Sequence, residues 1–346
     1  MAPQLGSETT GTELVAKYAD HIKGKTILVT GVSPGGLGAV FAEKTAAGAP
    51  ALLILAGRNM TKVQQTAEAI TAAHPKVEVK ALELDLGSFK SVRKAAETVN
   101  GLGDVPRIDV LVNNAGIMGT PWGKTEDGFE SQFGTNHLGP FLLTNLVMGK
   151  VMAAEAPRIV TVSSDGHRLG HIRWTDYNFN VSPEPASVLF VIADMQGPAQ
   201  DGKHYNEWQA YGQSKTANCL MAISLAEKLG GKGLLSFSLH PGVIWTNLAN
   251  HLDNFDSLPV EGAQDINMGT KHMWSNFNTK TEDQGVATHV FTAFNPDLKD
   301  YNGQFFNDCR PADQYEEEIY PWANNKTDAD RLWKLSEKLV GEGFSY

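Results

Sequence analysis

Tyr211 and Lys215 stand four residues apart, so on a helix the phenol and the ammonium share one face. A nearby cation favours the phenolate of a group whose ordinary pKa is about 10, and such a pair can pass a proton to or from a substrate near neutral pH. The same spacing also arises when a tyrosine ring packs on a lysine stem. The pair therefore acquires meaning from what else the chain brings to it. Apolar residues recur at helical spacing from Tyr211 to Leu229, which predicts the helix that would carry both groups.

Other elements must supply a partner for that face. Thr26 to Thr30 is a β-branched apolar run of the fully buried kind, followed by Gly31-Val32-Ser33-Pro34-Gly35-Gly36-Leu37-Gly38 and a helical pattern from Ala39 to Ala47. A strand, a glycine loop and a helix start make a place where backbone N–H groups can approach a pyrophosphate. A second buried strand, Ala51 to Ala56, ends in Gly57-Arg58-Asn59, about twenty residues past the loop, where an acid would bond a ribose hydroxyl and an arginine would accommodate a 2′-phosphate. The chain has Arg58 there and no acid. Helices over 61–73 and 88–100 alternate with strands over 77–84 and 108–112, which predicts a parallel sheet. Asp85-Leu86 and Asn113-Asn114-Ala115-Gly116 fall at the carboxyl ends of two of these strands, the edge at which open parallel sheets bind ligands.

A long helix is expected from Glu126 to Met152 with Asn136 inside it, and a strand over Arg158 to Val162 delivers Ser163-Ser164 to the same edge. The segment from Ser164 to Tyr211 is rich in aromatics (Trp174, Tyr177, Phe179, Phe190, Tyr205, Trp208); it is either a surface excursion packing on itself or the wall of an apolar pocket. Strand Leu234 to Leu239 ends in His240-Pro241-Gly242-Val243-Ile244-Trp245-Thr246, and residues 247–281 read as a cover over the site. A helix from Glu282 to Phe294, an edge strand near 304–307 and a helix from Ala323 to Val340 complete the chain.

Composition narrows the partners. Thirty-nine acids against 29 bases give a net charge of -10, and no basic run interleaved with aromatics suggests a nucleic-acid surface. Two cysteines, Cys219 and Cys309, make no disulfide framework, and no metal-ligand spacing occurs. Without an apolar run of bilayer length, the expectation is a soluble, cytoplasmic protein acting on a small molecule. Residues 1–25 read as an extension that packs on the outside, and 26–346 as a single domain with insertions over about 165–208 and 247–281.

With these pieces in order, the chain resembles the short-chain dehydrogenase/reductase family over residues 26 to 309. The resemblance rests on Thr30 to Gly38, Asn113 to Gly116, Ser164, Tyr211 to Lys215 and Pro241-Gly242, with Gly31 and Gly36 set one residue further apart than is usual in the family. The long interval between Ser164 and Tyr211, together with Gly57-Arg58-Asn59-Met60 and Gly303 to Cys309, is most similar to the retinol dehydrogenase and protochlorophyllide reductase branch. It implies a Rossmann-type α/β fold, a doubly wound parallel sheet with helices on both faces, and NADP(H) as cofactor. It further implies a catalytic set of Asn136, Ser164, Tyr211 and Lys215, with Tyr211 as general acid/base. Asn136 would then position a water between Lys215 and solvent. Cofactor contacts are implied at Gly31, Ser33, Gly36, Leu37, Arg58, Asp85, Leu86, Asn113, Ala115, Gly116, Tyr211, Lys215, Pro241, Gly242, Val243 and Thr246, with no metal. The expected reaction interconverts a carbonyl and an alcohol on a bulky, largely apolar molecule; a non-redox role as cyclase, dehydratase or cofactor sensor is the alternative. The resemblance also implies a dimer or tetramer, with a homodimer as the expectation, through the helices of 126–152 and 211–229, which the added segments could block.

Overall fold

A computed structural model describes residues 5–180, 202, 205–249, 279–316 and 318–346. An eight-stranded sheet in the order β3-β2-β1-β4-β5-β6-β7-β8 organises them. Its strands are β1 (Thr26–Thr30), β2 (Leu52–Gly57), β3 (Glu78–Glu83), β4 (Val110–Asn113), β5 (Arg158–Val162), β6 (Leu235–His240), β7 (Phe305–Asn307) and β8 (Arg310–Pro311). The first seven are parallel, and only β8 runs against its neighbour. This is a Rossmann-type sheet flanked by helices. The first three strands step outward from β1, and the chain then returns to lay β4 on the other side of β1. The carboxyl ends of β1 and β4 therefore part there, at the switch point that leaves a crevice.

The two large clusters of buried side chains lie one on each face of the sheet, and a smaller one gathers Cys219, Phe305, Ile319 and Ala323. One face is covered by α5 (Phe89–Gly101), α7 (Gly139–Leu146), α9 (Glu207–Leu229) and α12 (Lys326–Val340); the other by α1 (Gly11–Lys17), α2 (Ala19–Ile22), α3 (Leu37–Ala46), α4 (Met60–Ala73) and α11 (Ala287–Phe294). The continuous apolar runs of the inner strands follow from burial on both faces. Leu14, Val15, Tyr18 and Ile22 are buried with the second cluster, and Thr12 bonds the Asp283 carboxylate through its N–H at 2.9 Å and its hydroxyl at 2.7 Å. Residues expected to lie outside thus contribute apolar side chains to the core. No described helix is long and apolar enough to cross a membrane.

The single helix expected over 126–152 is replaced by α6 (Ser131–Phe133), a π-helical turn (Gly134–Leu138), α7 and α8 (Met148–Met152). Glu130 caps the first piece, accepting from the N–H groups of Gln132 and Phe133. Gly139 lets the chain pass so close to β3's end that a Cβ there would stand 2.3 Å from the Leu86 carbonyl, and Pro140 follows at the start of α7. The helix expected over 282–294 also divides, into α10 (Glu282–Gly285) and α11. The expected cover lies outside the described residues except for its two ends, as does Phe190.

Candidate active site

The glycine loop follows β1 directly. Gly31 has φ 77°, and a Cβ there would lie 2.7 Å from the Ala115 Cα; at Gly38 it would meet the Gly31 carbonyl at 2.6 Å. The residue by which this loop exceeds the usual spacing is taken up in a turn. Gly36 N–H donates to the Ser33 carbonyl at 3.0 Å across Pro34 and Gly35, whose φ of 74° is what a turn with proline second and glycine third requires. No side chain caps α3 at Gly36, so its first-turn N–H groups and positive dipole end are available to an anion. The Thr30 hydroxyl receives the N–H groups of Asn114 at 3.1 Å and Ala115 at 3.0 Å, and the Asn114 amide donates to the Thr30 carbonyl at 2.9 Å. Strand ends β1 and β4 are thereby fixed to each other beneath the loop.

A cleft of about 580 Å³ runs along this edge of the sheet. Fifteen of the sixteen expected cofactor residues line it; Asn113 does not. Asn113 is buried and donates to the Thr144 hydroxyl at 2.9 Å, while Asn114 takes the cleft-facing place. Successive side chains leave a strand on opposite faces, so one asparagine of the pair turns to α7 and the other to the cleft. Arg58 and Lys62 are exposed at one end, and among the described ion pairs neither has an acid as partner. Asn59 caps α4, accepting from Lys62 N–H at 3.1 Å.

Ser164, Tyr211 and Lys215 meet at the other end. Asn206 starts α9 by accepting from the N–H groups of Trp208 and Gln209 at 3.0 and 2.9 Å, which places Tyr211 and Lys215 in the following turns. The turn over Asp165–Leu169 docks on this helix at glycines: a Cβ on Gly212 would stand 2.5 Å from the Gly170 nitrogen. Thr216 reinforces the contact, its hydroxyl reaching the carbonyls of Gly170 at 2.7 Å and His167 at 3.0 Å. The Ser163 hydroxyl donates to the Lys215 carbonyl at 2.7 Å, and the Lys215 ammonium donates to the Val162 carbonyl at 3.0 Å.

Burial governs the charges. It pushes Tyr211 up to about 12, against a hydrogen bond from Ser164 that works the other way, and it holds Lys215 down to about 8. The net shift of the phenol is upward: burial outweighs the pull of the Lys215 ammonium, which lies 5.6 Å from the ring centroid and gives one of its hydrogens to the Val162 carbonyl. At neutral pH the phenol keeps its proton and can donate it. Asn136, fully buried in the π-helical turn, does not line the cleft. Its amide clamps Ile117, accepting from the N–H and donating to the carbonyl at 2.8 Å each, and donates to the Ser214 hydroxyl at 2.9 Å. Both side-chain hydrogens of that amide are given to protein acceptors, so its side chain holds the loop at Ile117.

Asp165 and His240 also line the cleft, and neither was expected there. The His240 Nδ1 accepts from the Asp165 N–H at 3.1 Å. Burial pushes the Asp165 carboxyl up, but His240, Arg168 and His167 hold it below its usual range. Position at the ends of β5 and β6 was the available signal for both. Of the two alternatives for the aromatics between Ser164 and Tyr211, the described ones mostly follow packing on the fold rather than a pocket wall: Tyr177 packs on Phe133 and Phe129, Phe179 on Tyr205, and Trp174 beneath Arg331. Trp208 alone of the described set reaches the site, edge-on to Tyr211 with centroids 6.3 Å apart.

Residues 25–178 match the family model described as short chain dehydrogenase. Human retinol dehydrogenase 14 is 36% identical over 331 residues, covering 92% of this chain and 87% of that protein. This chain belongs to the short-chain dehydrogenase family. A solved structure of an uncharacterised Mycobacterium paratuberculosis protein is 30% identical, with TM-score 0.65 over 94% of this chain and 96% of that one. A short-chain dehydrogenase from Escherichia coli CFT073, solved in complex with NADPH, shares the fold at 20% identity and TM-score 0.55, over 84% and 98% of the two chains.

Proposed function

We propose that this short-chain dehydrogenase is an NADP(H)-dependent oxidoreductase interconverting a carbonyl and an alcohol on a bulky, largely apolar small molecule. The observation that carries the reading is the junction in one cleft of the Ser164 and Tyr211 hydroxyls, Lys215 and the uncapped start of α3. NADP(H) fits the residues present. Gly31 and Gly38 leave no room for side chains, the α3 N-terminus suits a pyrophosphate, and Arg58 with Lys62 offers two cations to a 2′-phosphate. When bound, the nicotinamide supplies or accepts the hydride.

The chain's own groups handle the proton and the geometry. In the reductive direction, Ser164 donates a hydrogen bond to the carbonyl oxygen and the protonated Tyr211 delivers its proton there as charge develops. In the oxidative direction Tyr211 takes the hydroxyl proton. Lys215, held by the Val162 carbonyl, presents positive charge behind the phenol and stabilises the phenolate that donation leaves. Pro241 to Val243 and Thr246 wall the nicotinamide end, while Ile117 and Met118 give the cleft an apolar side suited to an apolar carbonyl compound. The retinol named in the human relative is an alcohol of that class.

The test is NADPH consumption across a panel of apolar, sugar-like and charged carbonyl compounds, with NADH as control, in wild type and Arg58→Ala. Apolar aldehydes should be turned over with NADPH preferred. Arg58→Ala should cut that preference by about tenfold to a hundredfold, the worth of a charge-assisted phosphate contact. Equal efficiency with both cofactors in the wild type would sink the NADP(H) assignment, and turnover confined to charged compounds would sink the substrate class.

A further inference from the structure

Glu130, Gln132 and Tyr205 take no part in the chemistry above, yet the first two are fully buried. The Gln132 Oε1 accepts from the Gly119 N–H at 2.9 Å, and its Nε2 donates to the Glu207 carbonyl at 2.8 Å and to the Tyr205 hydroxyl at 2.9 Å. Reversing the amide would set donor against donor and acceptor against acceptor, so its orientation is fixed by its partners. The Tyr205 hydroxyl, with one proton to give, lies 3.0 Å from the Thr120 carbonyl and 3.1 Å from the Glu130 Oε1. Glu130 in turn accepts from the N–H groups of Gln132 at 2.8 Å and Phe133 at 2.7 Å. Every hydrogen of the Gln132 amide and the Tyr205 hydroxyl has an acceptor, and such a buried network is rigid.

That network joins two particular places. On one side are Gly119 and Thr120, within the stretch whose Ile117, Met118 and Thr120 line the cleft. On the other is Glu207, the first residue of the helix that carries Tyr211. Trp208 spans the same gap. A Cβ on Gly119, whose φ is 56°, would lie 3.1 Å from its indole, and the indole stands edge-on to the Tyr211 ring. Moving Gly119 and Thr120 relative to Tyr211 therefore means breaking the Gln132 bonds or displacing Trp208, while Ile117 is held separately by Asn136.

We infer that Gln132, backed by Tyr205 and Glu130, is a positioning residue that sets the gap between the 117–120 wall and Tyr211, and so the size of carbonyl compound the site accepts. The inference rests on the oxidoreductase reading. Gln132 touches neither substrate nor cofactor and acts through Gly119 and Glu207.

The test uses the full chain with Gln132→Leu, Gln132→Glu and Tyr205→Phe, assayed with straight-chain aldehydes from butanal to decanal and by amide hydrogen exchange. In Gln132→Leu the kcat/KM ratio of decanal to butanal should shift by about tenfold, the range that pocket-size differences produce. NADPH affinity should stay at the wild-type value, and exchange at Gly119 and Thr120 should accelerate with none in β1 or β4. Gln132→Glu places a second acceptor against the Glu207 carbonyl, and protonation restores a donor; its aldehyde ratio should return toward wild type as the pH is lowered, which loss of packing alone would not produce. Tyr205→Phe keeps the ring on Phe179 and should shift the ratio less, in the same direction; it carries the test if Gln132→Leu does not fold. An unchanged aldehyde ratio with unchanged Gly119 exchange would overturn the inference. An inactive wild type would instead count against the oxidoreductase reading, and Gly119 exchange would then decide the positioning alone.

Discussion

The two ends of the cleft are held by different means. At the glycine-loop end the chain approaches itself as bare backbone: Gly31 against Ala115, Gly38 against the Gly31 carbonyl, Gly139 against the Leu86 carbonyl. The Thr30 hydroxyl and Asn114 amide lie beneath those contacts. At the Tyr211 end Gly212 meets Gly170, but most of the holding is by buried polar side chains: Asn136 on Ile117, Ser163 on the Lys215 carbonyl, Thr216 on the 165–170 turn, Gln132 on Gly119. Backbone contact without side chains suits a ligand end that is the same for every substrate and needs N–H groups at close range. Side-chain networks suit the end where a wall must be set for one substrate, because each partner can be exchanged separately. A change at the first end therefore acts mainly through space, and a change at the second mainly through unsatisfied hydrogen bonds.

Tyr211→Phe gives the largest separation of the two ends. The ring still packs on Trp208 but the proton is gone, so kcat should fall by about 10²- to 10⁴-fold, the range of general acid catalysis, with NADP(H) affinity unchanged in a fluorescence titration. Near wild-type turnover would remove Tyr211 from the chemistry. Gly38→Ala probes the other end. Its Cβ would stand 2.4 Å from the Asn114 Nδ2 and 2.6 Å from the Gly31 carbonyl, so it should destabilise by about 1–3 kcal/mol as overpacking does and weaken cofactor binding. Urea unfolding and cofactor titration would show it, and a variant matching wild type in both would mean that the loop yields freely. The smallest effect is in pH. Lys215, held down to about 8 by burial, loses its ammonium as pH rises through that value, while Tyr211 at about 12 stays protonated. Carbonyl reduction should therefore drop about tenfold from pH 7 to pH 9, with cofactor affinity nearly level. A flat profile would show that the charge of Lys215 is not what assists Tyr211.

The same contrast explains what could be read from the chain alone. The alternation of apolar runs and helical patterns located β1 to β7 within a residue or two, because strands buried on both faces leave continuous apolar runs. The glycine loop was legible because close backbone approach demands glycine, and spacing records it. The π-helical turn within the 126–152 helix was not, although Gly134, Gly139 and Pro140 stand there: apolar spacing runs through such a turn almost undisturbed, and the Leu86 carbonyl that Gly139 approaches is far off in sequence. Asn113 and Asn114 could not be told apart before the twist of β4 was known. Gln132 and the turn of Asn136 toward Ile117 were invisible for a related reason. A long-range amide bond needs only one glutamine or asparagine at each place and leaves no period. The two-residue β8 was too short to leave any pattern.

That short strand has a bearing on what happens when copies of the sheet meet. After β7 the chain passes through Asp308 and Cys309 at positive φ and returns antiparallel as Arg310–Pro311. The outer edge of the sheet there is two residues long, carries an arginine and ends in a proline that has no N–H to offer. The opposite edge, β3, alternates charge through Glu78, Lys80 and Glu83, with the Lys80 ammonium paired to Glu78 and Asp104. A passing strand finds too few donors at one margin and fixed charge at the other. Among the described residues the sheet thus ends in two margins that disfavour the edge-to-edge growth by which exposed β-structure precipitates.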